Sequence, residues 1–200
     1  MKVIGLCGGS GSGKSAASEL LEKLGIPHID ADQIYHTLTS YESDCMRALV
    51  SEFGTTVMNS DGSLNRDHVR ELVFSGNDRN EKRAKLNEIT HRYVLSEIDK
   101  QIEIYRVSGR KAVVADVPLL FESGFNEKCD FMVAVVADEA VRIDRIVRRD
   151  KITEEQAKAR INAQISTEEL ISKVDFMLEN NGDLGEFEKA VMDLYENKIK

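Results

Sequence analysis

The chain has no tryptophan, only 2 prolines and only 3 cysteines in 200 residues. So little proline excludes collagen-like, mucin-like and polyproline architectures. Cys7, Cys45 and Cys129 are odd in number and widely spaced, with no CxxC pair. They form neither a disulfide framework nor a thiolate metal site, and they suit a reducing compartment. No run of about 18 apolar residues occurs, and the opening MKVIGLC is too short in its apolar part for a signal peptide. The expectation is a cytoplasmic protein without a membrane partner. Positive charge is also in deficit: 27 Lys and Arg face 35 Asp and Glu, a formal net charge of -8. A protein that coats nucleic acid carries the opposite balance, so no nucleic-acid partner is expected, although a local basic patch can still hold a small polyanion.

Hydrophobic residues make up 42% and charged residues 31% of the chain, values of an ordinary globular protein. A chain of this length buries roughly 70% of its extended surface, enough for a core without staples. Five short apolar runs read as strands: Val3–Cys7, Ile26–Ile29, Ala112–Ala115, Phe131–Val136 and a weaker Phe176–Leu178. The first, third and fourth are continuous, as in strands covered on both faces. Helical periodicity lies between them. Ser15–Leu24 groups Ala16, Ala17, Leu20, Leu21 and Leu24 on one face, and Lys82–Val107 does the same with Leu86, Ile89, Tyr93, Ile98, Ile102 and Tyr105 before Gly109 stops it. The alternation predicts an α/β fold with a parallel sheet and right-handed crossovers.

Two segments interrupt that rhythm. Residues 35–80 are polar and mostly helical, with a turn at Asn59–Gly62 and no strong strand, which predicts a small helical subdomain. Residues 140–171 read as a charged helical hairpin broken near Asp150–Thr153, where Thr153 and Gln156 have the spacing of a capping box. Leu184–Ile199 reads as a last amphipathic helix.

Gly8-Gly9-Ser10-Gly11-Ser12-Gly13-Lys14-Ser15 fits G-x-x-x-x-G-K-[ST] between a strand and a helix. Glycines let successive N–H groups turn toward phosphate oxygens, and the helix N-terminus adds its positive end. Gly9, Ser10, Gly11, Ser12, Gly13, Lys14, Ser15 and Ala16 are therefore candidate ATP-phosphate ligands. Lys14 is suited to the β- and γ-phosphates and Ser15 to Mg²⁺.

Carboxylates follow the second and third strands, where an open parallel sheet places its ligands. Asp32 is the candidate acceptor-activating group, with Asp30 beside it; capping of the next helix is the structural alternative for either. Asp116 is a candidate Mg²⁺ ligand, directly or through water. Leu119, Phe121 and Glu122, just after it, are candidate acceptor contacts, with a core role open for Leu119, Leu120 and Phe121. Arg142, Arg145 and Arg149 recur at spacings of three and four, giving a basic stripe able to meet a triphosphate. Arg160 is a further candidate. Cys7 reads as a small buried hydrophobe.

GLCGGSGSGKS, IDADQIYH, LNEITHRYV, VVADVPLLFESG, RIVRRDKITEEQAKARINAQIS and VDFMLENNG, in this order, closely resemble the dephospho-coenzyme A kinase family. The resemblance implies a P-loop NTPase fold with a five-stranded parallel sheet, a helical substrate-binding insertion and a helical lid. It divides the chain into a nucleotide-binding core (1–34, 81–139 and 172–200), a substrate subdomain (35–80 with part of 81–107) and a lid (140–171). The reaction implied is transfer of the ATP γ-phosphoryl to the ribose 3′-hydroxyl of dephospho-coenzyme A, the last step of coenzyme A synthesis, with Mg²⁺. Asp32 then falls on the catalytic carboxylate, His91 on a substrate-contacting histidine, Arg149 on the lid arginine and Asn180 on a nucleotide-proximal asparagine. Arg92 and Ser166 stand where the family usually has proline, and Leu170 near a usual lysine. A nucleoside or nucleoside-monophosphate kinase is the enzymatic alternative, and a nucleotide-dependent regulatory switch the alternative of another class. The expected assembly is a monomer or weak homo-oligomer.

Overall fold

The computed structural model describes residues 1–118 and 120–200. The chain opens with β1 (Lys2–Cys7), α1 (Lys14–Lys23) and β2 (His28–Asp30). α2 (Ala31–Leu38), α3 (Asp44–Phe53), α4 (Arg66–Phe74) and the 29-residue α5 (Arg79–Val107) come next. β3 (Ala112–Asp116), β4 (Phe131–Val136), α6 (Glu139–Asp150), α7 (Glu154–Asn162), α8 (Thr167–Ile171), β5 (Phe176–Glu179) and α9 (Leu184–Leu194) complete the order. The strands form one sheet in the order β2-β3-β1-β4-β5. β1 pairs in parallel with β3 and β4, and β4 in parallel with β5. The five-stranded parallel α/β architecture is thus the expected one.

Several bounds differ from the sequence reading by one to three residues, and three differences bear on the architecture. The second strand is His28–Asp30 rather than Ile26–Ile29. The segment 140–171 holds a third helix, α8, because the Ser166 hydroxyl accepts from the Glu169 N–H at 3.1 Å and starts a new turn. The last helix ends at Leu194 and widens into a π-type segment, Tyr195–Ile199. The break before α7 is as read: Thr153 and Gln156 make both capping-box hydrogen bonds.

The chain divides into two compact units, 1–29 with 104–200, and 30–103. In the first, Ile4, Leu6, Ala112, Val114, Val133, Val135 and Leu178 share one sheet face, since side chains two apart in a strand point the same way. The register aligns them: Ile4 faces Val114, Leu6 faces Val133 and Val135 faces Leu178. Ala17 and Leu21 of α1 and Phe187, Val191 and Leu194 of α9 cover that face. The second unit has its own core of Cys45, Met46, Leu49, Val57, Leu64, Val69, Val73 and Ile89. Ser43 and Asn65 cap α3 and α4, and the Asn59–Gly62 turn closes an antiparallel bridge between Met58 and Leu64. Among the described residues no helix is long and apolar enough to cross a membrane.

Candidate active site

β1 ends at Cys7 and α1 begins at Lys14, so residues 8–13 form the connection that the glycine pattern requires. Gly13 has φ 103°, and a Cβ there would overlap the Asn180 side-chain amide. At Gly11, φ is 79° and a Cβ would come within 2.6 Å of the Arg142 carbonyl. These two glycines do more than free the backbone: they let α6 and the end of β5 close onto the loop.

Lys14 leads α1, and its Nζ donates to Asp116 Oδ1 at 2.6 Å. Asp116 ends β3, directly beside Leu6 of β1, so the sheet register delivers the carboxylate to the loop lysine. The pair is largely shielded, with side-chain exposures of 27% and 17%. Ser15 is exposed in the first turn of α1. No cluster of three His, Cys, Asp or Glu able to hold a metal occurs among the described residues. One hydroxyl and one carboxylate, Ser15 and Asp116, nonetheless fit Mg²⁺, which commonly takes one or two protein oxygens and completes its shell with water and substrate phosphates.

The arginine stripe divides. Arg142 is 6% exposed, and its Nε donates to the Ser10 carbonyl at 3.0 Å. Arg145 Nη1 reaches the carbonyls of Gly11 and Ser12 at 3.3 and 3.4 Å, while its Nη2 donates to Asn180 Oδ1 at 3.2 Å. Asn180 in turn donates from Nδ2 to the Ser12 carbonyl at 2.8 Å. Arg142, Arg145 and Asn180 are thus gathered on the phosphate loop. Arg149 is not: it pairs with the adjacent Asp150 at 2.7 Å, and Arg160 pairs with the same carboxylate. The difference follows from helix length, because Arg149 lies near the C-terminal end of α6, whose Arg142 turn packs on the loop.

Hydrogen bonds from Arg149, with its charge and the contact from Arg160, pull the Asp150 carboxyl down to about 2 from 3.8. A depressed carboxyl contributes stability that is present above the unfolded-state value and lost as pH falls through the folded one. Asp150→Asn is therefore expected to lower the thermal midpoint at pH 7 by about 1–3 °C. The gap from the unaltered chain should close between about pH 5 and pH 2, as calorimetry across that range would record. A gap that persists unchanged into acid would remove the ion-pair account.

Phe121 is half-buried, with Lys173 Nζ 5.5 Å from its ring centre. Leu120 is buried and Glu122 exposed, and Leu119 lies outside the described residues. Ala16 packs against the sheet core, so a phosphate role there belongs to its backbone alone. Leu170, in place of a basic residue, is 5% exposed beside Gly9, Ser12 and Val135. Burial pushes the Cys7 thiol up to about 12, leaving it protonated and inert at neutral pH.

In the second unit, Asp30 is a helix cap: its Oδ1 accepts from the N–H groups of Asp32 and Gln33 at 2.8 and 3.1 Å. Asp32 sits in the first turn of α2. His91 is half-buried on α5, and the neighbouring Arg92 lies over the Tyr93 ring at 4.8 Å.

One residue was missed from the sequence. Gln164, after α7, accepts the Ser10 N–H on its Oε1 at 2.9 Å and the Arg142 Nη2 at 3.2 Å. It stands 154 residues from Ser10, so no local spacing could reveal the contact. Its only trace in the sequence is its place in the 140–171 segment, part of which carried the family resemblance.

The family model for dephospho-CoA kinase matches residues 2–186. The chain is 39% identical to the dephospho-CoA kinase of Lactobacillus johnsonii over 193 residues, covering 96% of each protein. It is 36% identical to that of Listeria innocua, covering 99% of this chain and 98% of the relative. Among solved structures, the dephospho-CoA kinase from Campylobacter jejuni superposes with a TM-score of 0.72 at 26% identity, covering 98% of this chain and 96% of that one. A phosphate loop with its lysine on a strand-end aspartate, two arginines closing over it and near full-length similarity lead to one assignment: the chain belongs to the dephospho-CoA kinase family.

Proposed function

We propose that the chain binds ATP on residues 9–16 and transfers its γ-phosphoryl to the ribose 3′-hydroxyl of dephospho-coenzyme A, with Asp32 as the group that accepts the hydroxyl proton. The 3′-oxygen forms its bond to the γ-phosphorus as the bond to the bridging oxygen of ADP breaks, and the proton passes to the Asp32 carboxylate. Coenzyme A and ADP leave. The observation that carries the reading is the Lys14–Asp116 pair at the foot of the loop, where a cation and a strand-end carboxylate stand together. Lys14 stabilises the charge on the transferring group. Ser15 and Asp116 would hold Mg²⁺, which when bound offsets phosphate charge and orients the oxygens.

Arg142, Arg145 and Asn180 fix the loop and the nucleotide beside it, and Arg149 binds the transferring phosphoryl. Residues 140–171 act as the lid and exclude water, since an accessible phosphoryl would pass to water instead. Residues 35–80, with part of 81–107, receive the acceptor, His91 contacts it, and Phe121 and Glu122 contribute on the core side. Asp32 lies two residues beyond the end of β2, where parallel sheets present their ligand-binding carboxylates.

The test is ADP release from MgATP with dephospho-coenzyme A, adenosine, AMP, CMP or no acceptor, with the product weighed by mass spectrometry. Release that depends on dephospho-coenzyme A, with a product one phosphoryl heavier, is the expected result. Turnover on a nucleoside or monophosphate alone would reassign residues 35–80 and His91, and nucleotide binding without acceptor-dependent turnover would replace the kinase reading with a switch.

A further inference from the structure

Arg142 poses an electrostatic problem. Arg142 is a buried residue, 6% exposed as a whole, yet no carboxylate pairs with its guanidinium among the described residues. Burial alone disfavours such a charge, and the usual remedy is a paired acid. Glu139, one turn earlier on α6, adds a favourable field without an ion pair. The acceptors that Arg142 does have are neutral: the Ser10 carbonyl and Gln164 Oε1. Gln164 therefore occupies the seat where a glutamate of the same shape would neutralise the arginine.

The same side chain holds the loop. Oε1 also accepts the Ser10 N–H at 2.9 Å, and Nε2 approaches Ser10 Oγ at 3.4 Å. The Ser10 residue is thus gripped at its N–H by Gln164 and at its carbonyl by Arg142, which Gln164 also orients. Together they tie the segment after α7 and the first turns of α6 to the crest of the phosphate loop.

We infer that Gln164 is a positioning residue for phosphate binding: its uncharged amide fixes Arg142 and the Ser10 backbone while leaving the guanidinium charge available to the nucleotide's phosphate chain. This rests on the reading of residues 9–16 as the ATP-phosphate site. Glutamine suits the role because it accepts as glutamate does but brings no charge to cancel the arginine's.

The experiment compares Gln164→Glu and Gln164→Ala with the unaltered full-length chain. It measures ATP and inorganic tripolyphosphate affinity by calorimetric titration, and the thermal midpoint without nucleotide. In Gln164→Glu the new carboxylate pairs with Arg142, so the midpoint should hold or rise while both ligands bind roughly 10-fold or more weakly. Gln164→Ala should lower the midpoint by about 2–6 °C and weaken ATP less than the glutamate does, because the arginine's charge stays free. ATP affinity at the unaltered level in Gln164→Glu overturns the inference. So does a midpoint lower in Gln164→Glu than in Gln164→Ala, or a loss of affinity that merely follows the loss of stability in both. Acceptor-dependent ADP release by the unaltered chain tests the kinase reading separately, so any of these results strikes the role of Gln164 and leaves that reading standing.

Discussion

Asp32→Asn is expected to lower kcat by roughly 10²- to 10⁴-fold while leaving ATP affinity within about 3-fold of the unaltered chain. The amide keeps the size and one acceptor oxygen of the carboxylate but takes no proton from the attacking hydroxyl at neutral pH. The loss should therefore fall on the chemical step. Asp30, one residue before α2, makes the informative control: its carboxylate is committed to the N–H groups of Asp32 and Gln33, so Asp30→Ala should cost helix stability more than turnover. Steady-state kinetics with a nucleotide titration separates the two. An Asp32→Asn enzyme with unaltered turnover would remove this carboxylate from the reaction.

Lys14→Ala carries the second large effect, a fall in kcat/KM for ATP of roughly 10²- to 10⁴-fold. The lysine stands at the start of α1, where the helix end and the glycine-rich turn already favour an anion, and it brings the mobile positive charge of that site. Its removal also strands Asp116, which is 17% exposed and loses the Nζ partner at 2.6 Å. A shielded carboxylate left without its cation costs about 1–3 kcal/mol of stability. Two readouts should therefore move together: kcat/KM from initial rates, and the thermal midpoint, lower by several degrees. The double variant Lys14→Ala/Asp116→Asn should recover much of the midpoint and none of the activity, because it removes the stranded charge without restoring the cation. Recovery of activity in the double variant would contradict the role given to Lys14.

The readable parts of this protein were those governed by neighbouring residues. Val3–Cys7 and Phe131–Val136 are continuous apolar runs because both faces of those strands are covered; the second is a strand at the stated bounds, and the first begins one residue earlier, at Lys2. Thr153 and Gln156 are three apart, and the box they predict has both hydrogen bonds. The loop signature between β1 and α1 was legible for the same reason: turn, helix start, lysine and serine are consecutive. The ambiguous positions were those where one residue type serves two ends. Asp30 and Asp32 have the same chemistry and differ by two places, and only the observed bonds assign Asp30 to the cap.

Periodicity put Arg142, Arg145 and Arg149 on one helix face but said nothing of what that face meets along its length. Arg142 and Arg145 reach loop carbonyls more than 130 residues away, whereas Arg149, one turn further on, is left to Asp150. Gln164 escaped for a related reason, and Asn180 was reached only through the family resemblance: each spends its amide on the phosphate loop from a distant part of the chain. The sequence by itself determined the parallel sheet, the phosphate loop and the family, because strand burial, glycine turns and helix caps are set by residues within a few positions of one another. Tertiary structure alone decided which polar side chains close on that loop, because a hydrogen bond is made over about 3 Å between groups the chain brings together only when it folds.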